Sequence, residues 1–72
     1  MPSGLQHVEN LLIRYRGRTI DVKTLSGGMY EGVIADVTND YVTLKIKGAS
    51  GEVDSVTILL HSIESIMVRD AG

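Results

Sequence analysis

The chain has 72 residues, 43% hydrophobic and 22% charged, with seven basic and nine acidic side chains that give a net charge of −2. This length allows one small domain, and the composition is that of a folded protein rather than a disordered one. The absence of cysteine excludes disulfide scaffolds, thiolate metal sites and thiol enzymes. No apolar run approaches the roughly 20 residues of a membrane span, and no secretory leader opens the chain. We therefore expect a cytoplasmic protein without a membrane partner.

A chain this short has a marginal core. Below roughly 70–80 residues, small domains commonly rely on disulfides, a metal or self-association. Cysteine is absent, and the two histidines, His7 and His61, lie far apart in the sequence. The sequence therefore favours association with further copies of the chain as the source of additional stability.

The first predicted element is a short amphipathic helix that follows a flexible N-terminus at residues 1–4. Apolar residues recur at spacings typical of a helix face, at Leu5, Val8, Leu11 and Leu12. Ser3 has the chemistry of an N-cap, with Gln6 three residues later, and Gly17 is a natural end.

After Gly17 the apolar period changes to two, which predicts strands. The alternation and the intervening turn residues predict five of them, at residues 19–25, 29–37, 41–47, 55–60 and 63–68. The sequence thus predicts a mainly β protein with an N-terminal α-helix and a strongly bent five-stranded antiparallel sheet or open barrel. The single domain spans residues 5–68, and residues 69–72 form a flexible C-terminus.

Two segments resemble the motifs of the Sm/LSm superfamily. From Gly17 onwards, a glycine precedes alternating apolar residues, and Gly27 and Gly32 lie five residues apart, as in the first Sm motif. Residues 60–66 are similar to the second motif in its bacterial, Hfq-like form. The resemblance covers residues 5–68 and implies an Sm-like (SH3-like) fold. Independently of it, Gly27 suits a positive φ in a tight turn, and Gly32 suits a sharp bend with close backbone approach.

The resemblance also implies a ring of six or seven copies, in which the last strand of one copy pairs with the fourth strand of the next. The candidate subunit-interface residues are then Val56, Ile58, Leu60, Ile63, Ile66 and Val68. Apolar strand edges left open favour aggregation, which is consistent with pairing between copies. The alternative is that both edges stay within a monomeric barrel.

In Hfq-like rings, single-stranded RNA lies near the pore, and the matching positions here are Gln6, Tyr41 and His61. An aromatic ring stacks on a base, an amide contacts its edge, and imidazole donates to phosphate or base. The alternatives are a helix-capping glutamine, an ordinary strand tyrosine and a turn histidine. Leu60 occupies the position of a family lysine, so restoring lysine is expected to raise RNA affinity if a degenerate pore site exists.

Three arginines, Arg14, Arg16 and Arg18, form a second candidate RNA surface at the end of the helix. The alternative is a solvated helix end, where cations favour the C-terminal dipole. One interpretation places Met29 and Tyr30 on a second RNA face, opposite the first, where adenine bases stack. The alternative places them in the core or in a subunit contact.

The residue pattern predicts neither an enzyme nor a cofactor or metal site. The serines have no His-Asp partners in a recognisable arrangement, and His7 with Glu9 supplies too few metal ligands. The leading hypothesis is an Sm-like homo-oligomeric ring that binds short single-stranded RNA. The rivals are an oligomeric scaffold or protein-interaction module without RNA, and a monomeric SH3-like barrel that binds a peptide.

Overall fold

The computed structural model describes residues 4–69, with side chains from Gln6 onwards. One helix precedes five strands and a 3-10 turn: α1 (Gly4–Arg14), β1 (Thr19–Thr24), β2 (Met29–Val37), β3 (Tyr41–Lys47), β4 (Val53–Leu59), η1 (Leu60–Ser62) and β5 (Ile63–Val68). The number, type and order of the predicted helix and strands are confirmed. The helix begins one residue earlier than predicted, and β4 begins two residues earlier. The predicted cap, Ser3, lies outside the described residues.

The five strands form one antiparallel sheet in the order β4-β3-β2-β1-β5. Among the described residues, β4 pairs with β3, and β5 pairs with β1. The sheet is therefore not closed, and each outer strand has one edge without a strand partner within residues 4–69. This mainly β architecture, with an N-terminal helix, is consistent with an Sm-like fold.

Alternation along the strands separates two faces of the sheet. The inner face carries Ile20 and Val22 of β1, whereas Asp21 and Lys23 point to the outer face. Leu12 of α1 packs against the inner face, so the helix covers that side. The buried apolar core consists of Leu12, Ile20, Val22, Ile34, Val42, Leu44, Ile58 and Leu60.

Glycine serves two different purposes in the sheet. Gly27 has a φ of 94° in the turn between β1 and β2, a conformation that side chains disfavour. Gly32 lies in the middle of β2 opposite Ile20, where a Cβ atom would be 2.7 Å from the carbonyl oxygen of Lys45. Gly32 is thus required by close packing of β2 against β3. The buried Thr24 hydroxyl accepts a hydrogen bond from the Gly28 amide at 3.0 Å, which secures the same turn.

Ion pairs connect β5, and Arg69 directly after it, to β1 and β2. Arg69 Nε lies 2.9 Å from Asp21 Oδ2 and 3.1 Å from Glu31 Oε2, and Lys23 Nζ lies 3.4 Å from Glu64 Oε1. The hydrogen bond to Asp21, together with the charges of Asp21 and Glu31, holds the pKa of the Arg69 guanidinium above its ordinary value. The Arg69 amide also donates to Thr19 at 3.0 Å. Backbone contacts with the sheet therefore extend to Arg69.

Candidate nucleic-acid interface

A hydrogen-bonded turn between β2 and β3 positions Tyr41. The Thr38 hydroxyl accepts from the amides of Asp40 at 3.1 Å and Tyr41 at 3.0 Å, and the Thr38 amide donates to the Tyr41 carbonyl at 2.9 Å. Threonine is suited to such turns because its hydroxyl replaces a backbone partner. Tyr41 therefore begins β3 at a defined place, half-buried.

The turn after β4 brings His61 to the same end of the sheet. Tyr41 is paired with Leu59, and the Leu60 amide donates to the Asp40 carbonyl at 2.9 Å. His61 follows directly in η1 and is exposed. Two of the three predicted RNA residues, Tyr41 and His61, therefore lie on adjoining backbone segments.

The third predicted residue, Gln6, is exposed on α1. The helix packs against β2 and η1, so Gln6 lies on an element that borders the segment of His61. No hydrogen bond from Gln6 to Tyr41 or His61 is present in the described part of the chain.

Leu60 lies in the core, at the position where the Hfq-like pattern has a lysine. Its side chain is 2% exposed and belongs to the hydrophobic core, although its neighbours Leu59 and His61 are exposed. A lysine at position 60 would begin in this apolar site, which disfavours its charged form. The gain in RNA affinity from restoring lysine stays a prediction, because it requires the ammonium group to leave the core.

The three arginines lie elsewhere, at the end of α1. Arg14, Arg16 and Arg18 are exposed, and the Arg18 guanidinium lies 5.9 Å from the centre of the Tyr15 ring. Gly17, three residues beyond the end of α1, has a φ of 86°, and its amide donates to the Ile34 carbonyl at 3.1 Å. The arginine cluster therefore lies beside the middle of β2. Tyr41 and His61 lie elsewhere, at the start of β3 and in the turn after β4.

The candidate subunit-interface side chains mostly face the chain's own core. Ile58 and Leu60 are buried there, and the other four, Val56, Ile63, Ile66 and Val68, are half-buried against it. The side chains of Ile58 and Leu60 are therefore covered by the chain's own core, and the pairing of these strands with a second copy stays a prediction. Alternation marks an apolar face, but it does not distinguish a face covered by the same chain from one covered by a neighbour.

The pattern of side chains along the strands does not indicate which backbone groups are open at the sheet edges. The Leu60 amide points towards β3, and amides of alternate residues in a strand point the same way, so the amide of Thr57 points to the free edge of β4. The Arg69 amide points towards β1, so those of Ile66 and Val68 point to the free edge of β5. Both edges thus present donors and acceptors to a further strand.

Charge is divided unevenly along the chain. Residues 1–18 contain three arginines and one glutamate, whereas residues 19–72 contain four basic and eight acidic residues. The part of the chain up to Arg18 is therefore basic, because of Arg16 and Arg18 beyond α1, and the part that follows is acidic. Asp40, beside the His61 segment, adds an exposed carboxylate to the predicted RNA surface.

Neither metal ligands nor a spanning helix is found in the described range. Residues 4–69 contain no group of three or more histidine, aspartate or glutamate side chains placed to hold a metal ion. No helix among them has the length and apolar character required to cross a bilayer. A scan against models of known protein families and a search of curated proteins found no match to this chain.

Proposed function

We propose that this chain assembles through its two open sheet edges into an Sm-like homo-oligomeric ring of six or seven copies, which binds short single-stranded RNA. The observation that carries the proposal is the open sheet, whose outer strands β4 and β5 each have a free edge. Pairing β5 of one copy with β4 of the next would satisfy both edges with main-chain hydrogen bonds. Repetition of that contact, which is heterologous, closes a ring when the rotation permits.

The RNA surface is proposed at the end of the molecule that carries Tyr41 and His61. Tyr41 supplies an aromatic ring for stacking, and His61 is an exposed hydrogen-bond donor on the adjoining segment. In a ring these pairs would be repeated in each copy, which suits a short strand with one or a few nucleotides per subunit. Gln6 is proposed as a further contact on the bordering helix.

A proline at position 57 tests the assembly. Thr57→Pro removes an amide that points to the free edge of β4 and leaves the hydrogen bonds between β4 and β3 in place. We expect the native mass to fall from that of a ring to that of a monomer or small oligomer, measured by native mass spectrometry. Thr57→Ala is the matched control, because it also removes the 3.3 Å contact with the Thr43 hydroxyl but keeps the amide. A ring that survives Thr57→Pro would contradict pairing through this edge.

Two substitutions at exposed or half-buried positions test RNA binding. Tyr41→Leu and His61→Ala are each expected to weaken binding of labelled U-rich RNA at least about fivefold, the low end of what base stacking contributes. Fluorescence anisotropy at low and moderate salt measures the affinity, which should fall with salt. His7→Ala, at an exposed histidine on the helix, is the control. Equal affinity of both variants and the parent, with the assembly intact, would reject this surface.

An oligomeric scaffold without RNA binding is the second candidate, and two observations favour it. Leu60 is buried where the Hfq-like pattern has a lysine, and Asp40 lies beside the His61 segment. This candidate predicts a ring mass together with flat anisotropy for U-rich and A-rich RNA. A monomeric mass for the parent chain would instead favour a peptide-binding SH3-like barrel.

A further inference from the structure

Two methionines on the outer face of the sheet expose their thioether side chains to solvent. Met29 of β2 is 68% exposed and Met67 of β5 is 64% exposed. Both line a groove of about 380 Å³, together with Asp21 and Lys23 of β1, the strand between them. The core formed within residues 4–69 consists of leucine, isoleucine and valine. Both thioethers therefore lie within reach of a dissolved oxidant and outside the packing that stabilises the fold.

Methionine is the residue of this chain that mild oxidants attack. Cysteine and tryptophan are absent from the sequence, and sulfur occurs within residues 4–69 only in Met29 and Met67. A hydroperoxide transfers an oxygen atom to a thioether: the S–O bond forms, the O–O bond breaks, and the leaving hydroxide takes the proton of the transferred oxygen. With hydrogen peroxide the second product is water, so the sulfur is oxidised and the peroxide is reduced. The methionine sulfoxide that results is polar, and sulfoxide reductases restore the thioether.

The residues opposite the two methionines differ in what they offer to a sulfoxide oxygen. Lys23 is the cross-strand partner of Met29, and such partners have Cβ atoms about 5 Å apart. The Lys23 ammonium carries more donors than its half-exposed ion pair with Glu64, 3.4 Å long, occupies. A sulfoxide at Met29 therefore has a hydrogen-bond donor beside it. Met67 lies opposite Asp21, which is an acceptor, so a sulfoxide at Met67 is solvated by water instead.

We propose that Met29 and Met67 form an oxidation site for hydroperoxides on the outer face, that the Lys23 ammonium holds the Met29 sulfoxide, and that the domain stays folded when both methionines are oxidised. Oxidation changes the margins of the groove from apolar to polar without placing a polar group in the core. The peroxide is the only co-reactant that the step requires. The site involves neither the free sheet edges nor the segments of Tyr41 and His61, so it depends neither on the ring nor on RNA binding.

The rate of oxidation by hydrogen peroxide tests the accessibility of the site. Arginine and lysine residues separate the three methionines of the sequence, so tryptic peptides analysed by mass spectrometry give one rate for each. We expect Met29 and Met67 of the native protein to react within about fivefold of their rates in the urea-unfolded chain, because susceptibility follows exposure. Leu44→Met, a volume-conserving substitution at a buried position, is the control and should react at least about tenfold more slowly. Native rates at Met29 and Met67 as slow as that at position 44 would overturn the proposal.

The stability of the oxidised protein tests whether the fold tolerates the change. Urea unfolding followed by circular dichroism should give the same midpoint for the parent before and after oxidation. Lys23→Leu removes the donor beside Met29, so oxidation of this variant should lower its midpoint. Lys45→Leu, at an exposed lysine on β3, is the matched control and should behave as the parent. A parent whose midpoint falls on oxidation, or a Lys23→Leu variant whose midpoint does not, would overturn the proposal.

Discussion

Gly32→Ala is expected to lower the free energy of unfolding by about 2 to 3 kcal/mol, and Gly32→Val is expected to prevent folding. A Cβ atom at this position would lie 2.7 Å from the Lys45 carbonyl oxygen and 3.1 Å from Leu44 Cβ. Neither atom can move without shifting β3, whose Leu44 is part of the core. A domain of this size has a total stability of about 4 to 11 kcal/mol, so the loss is a large fraction.

Urea unfolding monitored by far-ultraviolet circular dichroism measures this loss. Gly51→Ala is the matched control, because Gly51 has a φ of 89° but no atom within 4 Å of an added Cβ. Its cost, about 1 kcal/mol, reflects backbone conformation alone. If both substitutions cost the same, the steric account of Gly32 would be wrong, and its role would reduce to backbone freedom.

The strands were predictable because their burial follows a period of two. Three predicted strands have the observed bounds, because turn residues limit each apolar alternation. They are residues 29–37, 41–47 and 63–68, which form β2, β3 and β5. The start of β4 was missed, because Val53 and Asp54 have no apolar alternation and join the strand only by pairing with Lys47 and Ile46. That pairing is a tertiary effect, which a local pattern does not contain.

The residues of the candidate site stay a prediction from the resemblance, and the way in which their segments are connected could not be predicted from the sequence. Tyr41 and His61 were identified by resemblance, whereas the hydrogen bond between Leu60 and Asp40 that joins their segments depends on the register of β3 and β4. The edge-facing amides depend on register in the same way, because side-chain patterns carry no information on where an amide points. The order of the strands is a further tertiary feature, because only pairing within the sheet brings β5 beside β1.

At position 60, the alternation and the family resemblance favoured different environments. Val56, Ile58 and Leu60 share one apolar face by spacing, which indicates a core residue, whereas the Hfq-like pattern has a lysine there. The structure agrees with the spacing, because Leu60 is 2% exposed and lies against α1 through the shared core. The burial of its apolar side chain therefore decides the environment of position 60, and a substitution there can measure the free energy involved.

Leu60→Lys is therefore expected to destabilise the fold by about 4 kcal/mol at pH 7, because it removes a core leucine and places an amine in an apolar site. Burial disfavours the charged form, so the pKa of the introduced amine should be lower in the folded state than in the unfolded chain. Between these two pKa values the unfolded chain binds more protons, and stability should rise with pH by up to about 1.4 kcal/mol per unit. Urea unfolding at several pH values between 7 and 10 measures the slope.

Leu59→Lys is the matched control, because the adjacent leucine is 44% exposed and an amine there remains in water. Its stability should differ little from that of the parent, and it should add no pH dependence in this range. RNA affinity separates the two accounts of position 60. A folded Leu60→Lys variant with a flat pH profile and tighter RNA binding would show that the lysine leaves the core for the RNA surface. A steep pH profile without tighter RNA binding would establish position 60 as part of the core.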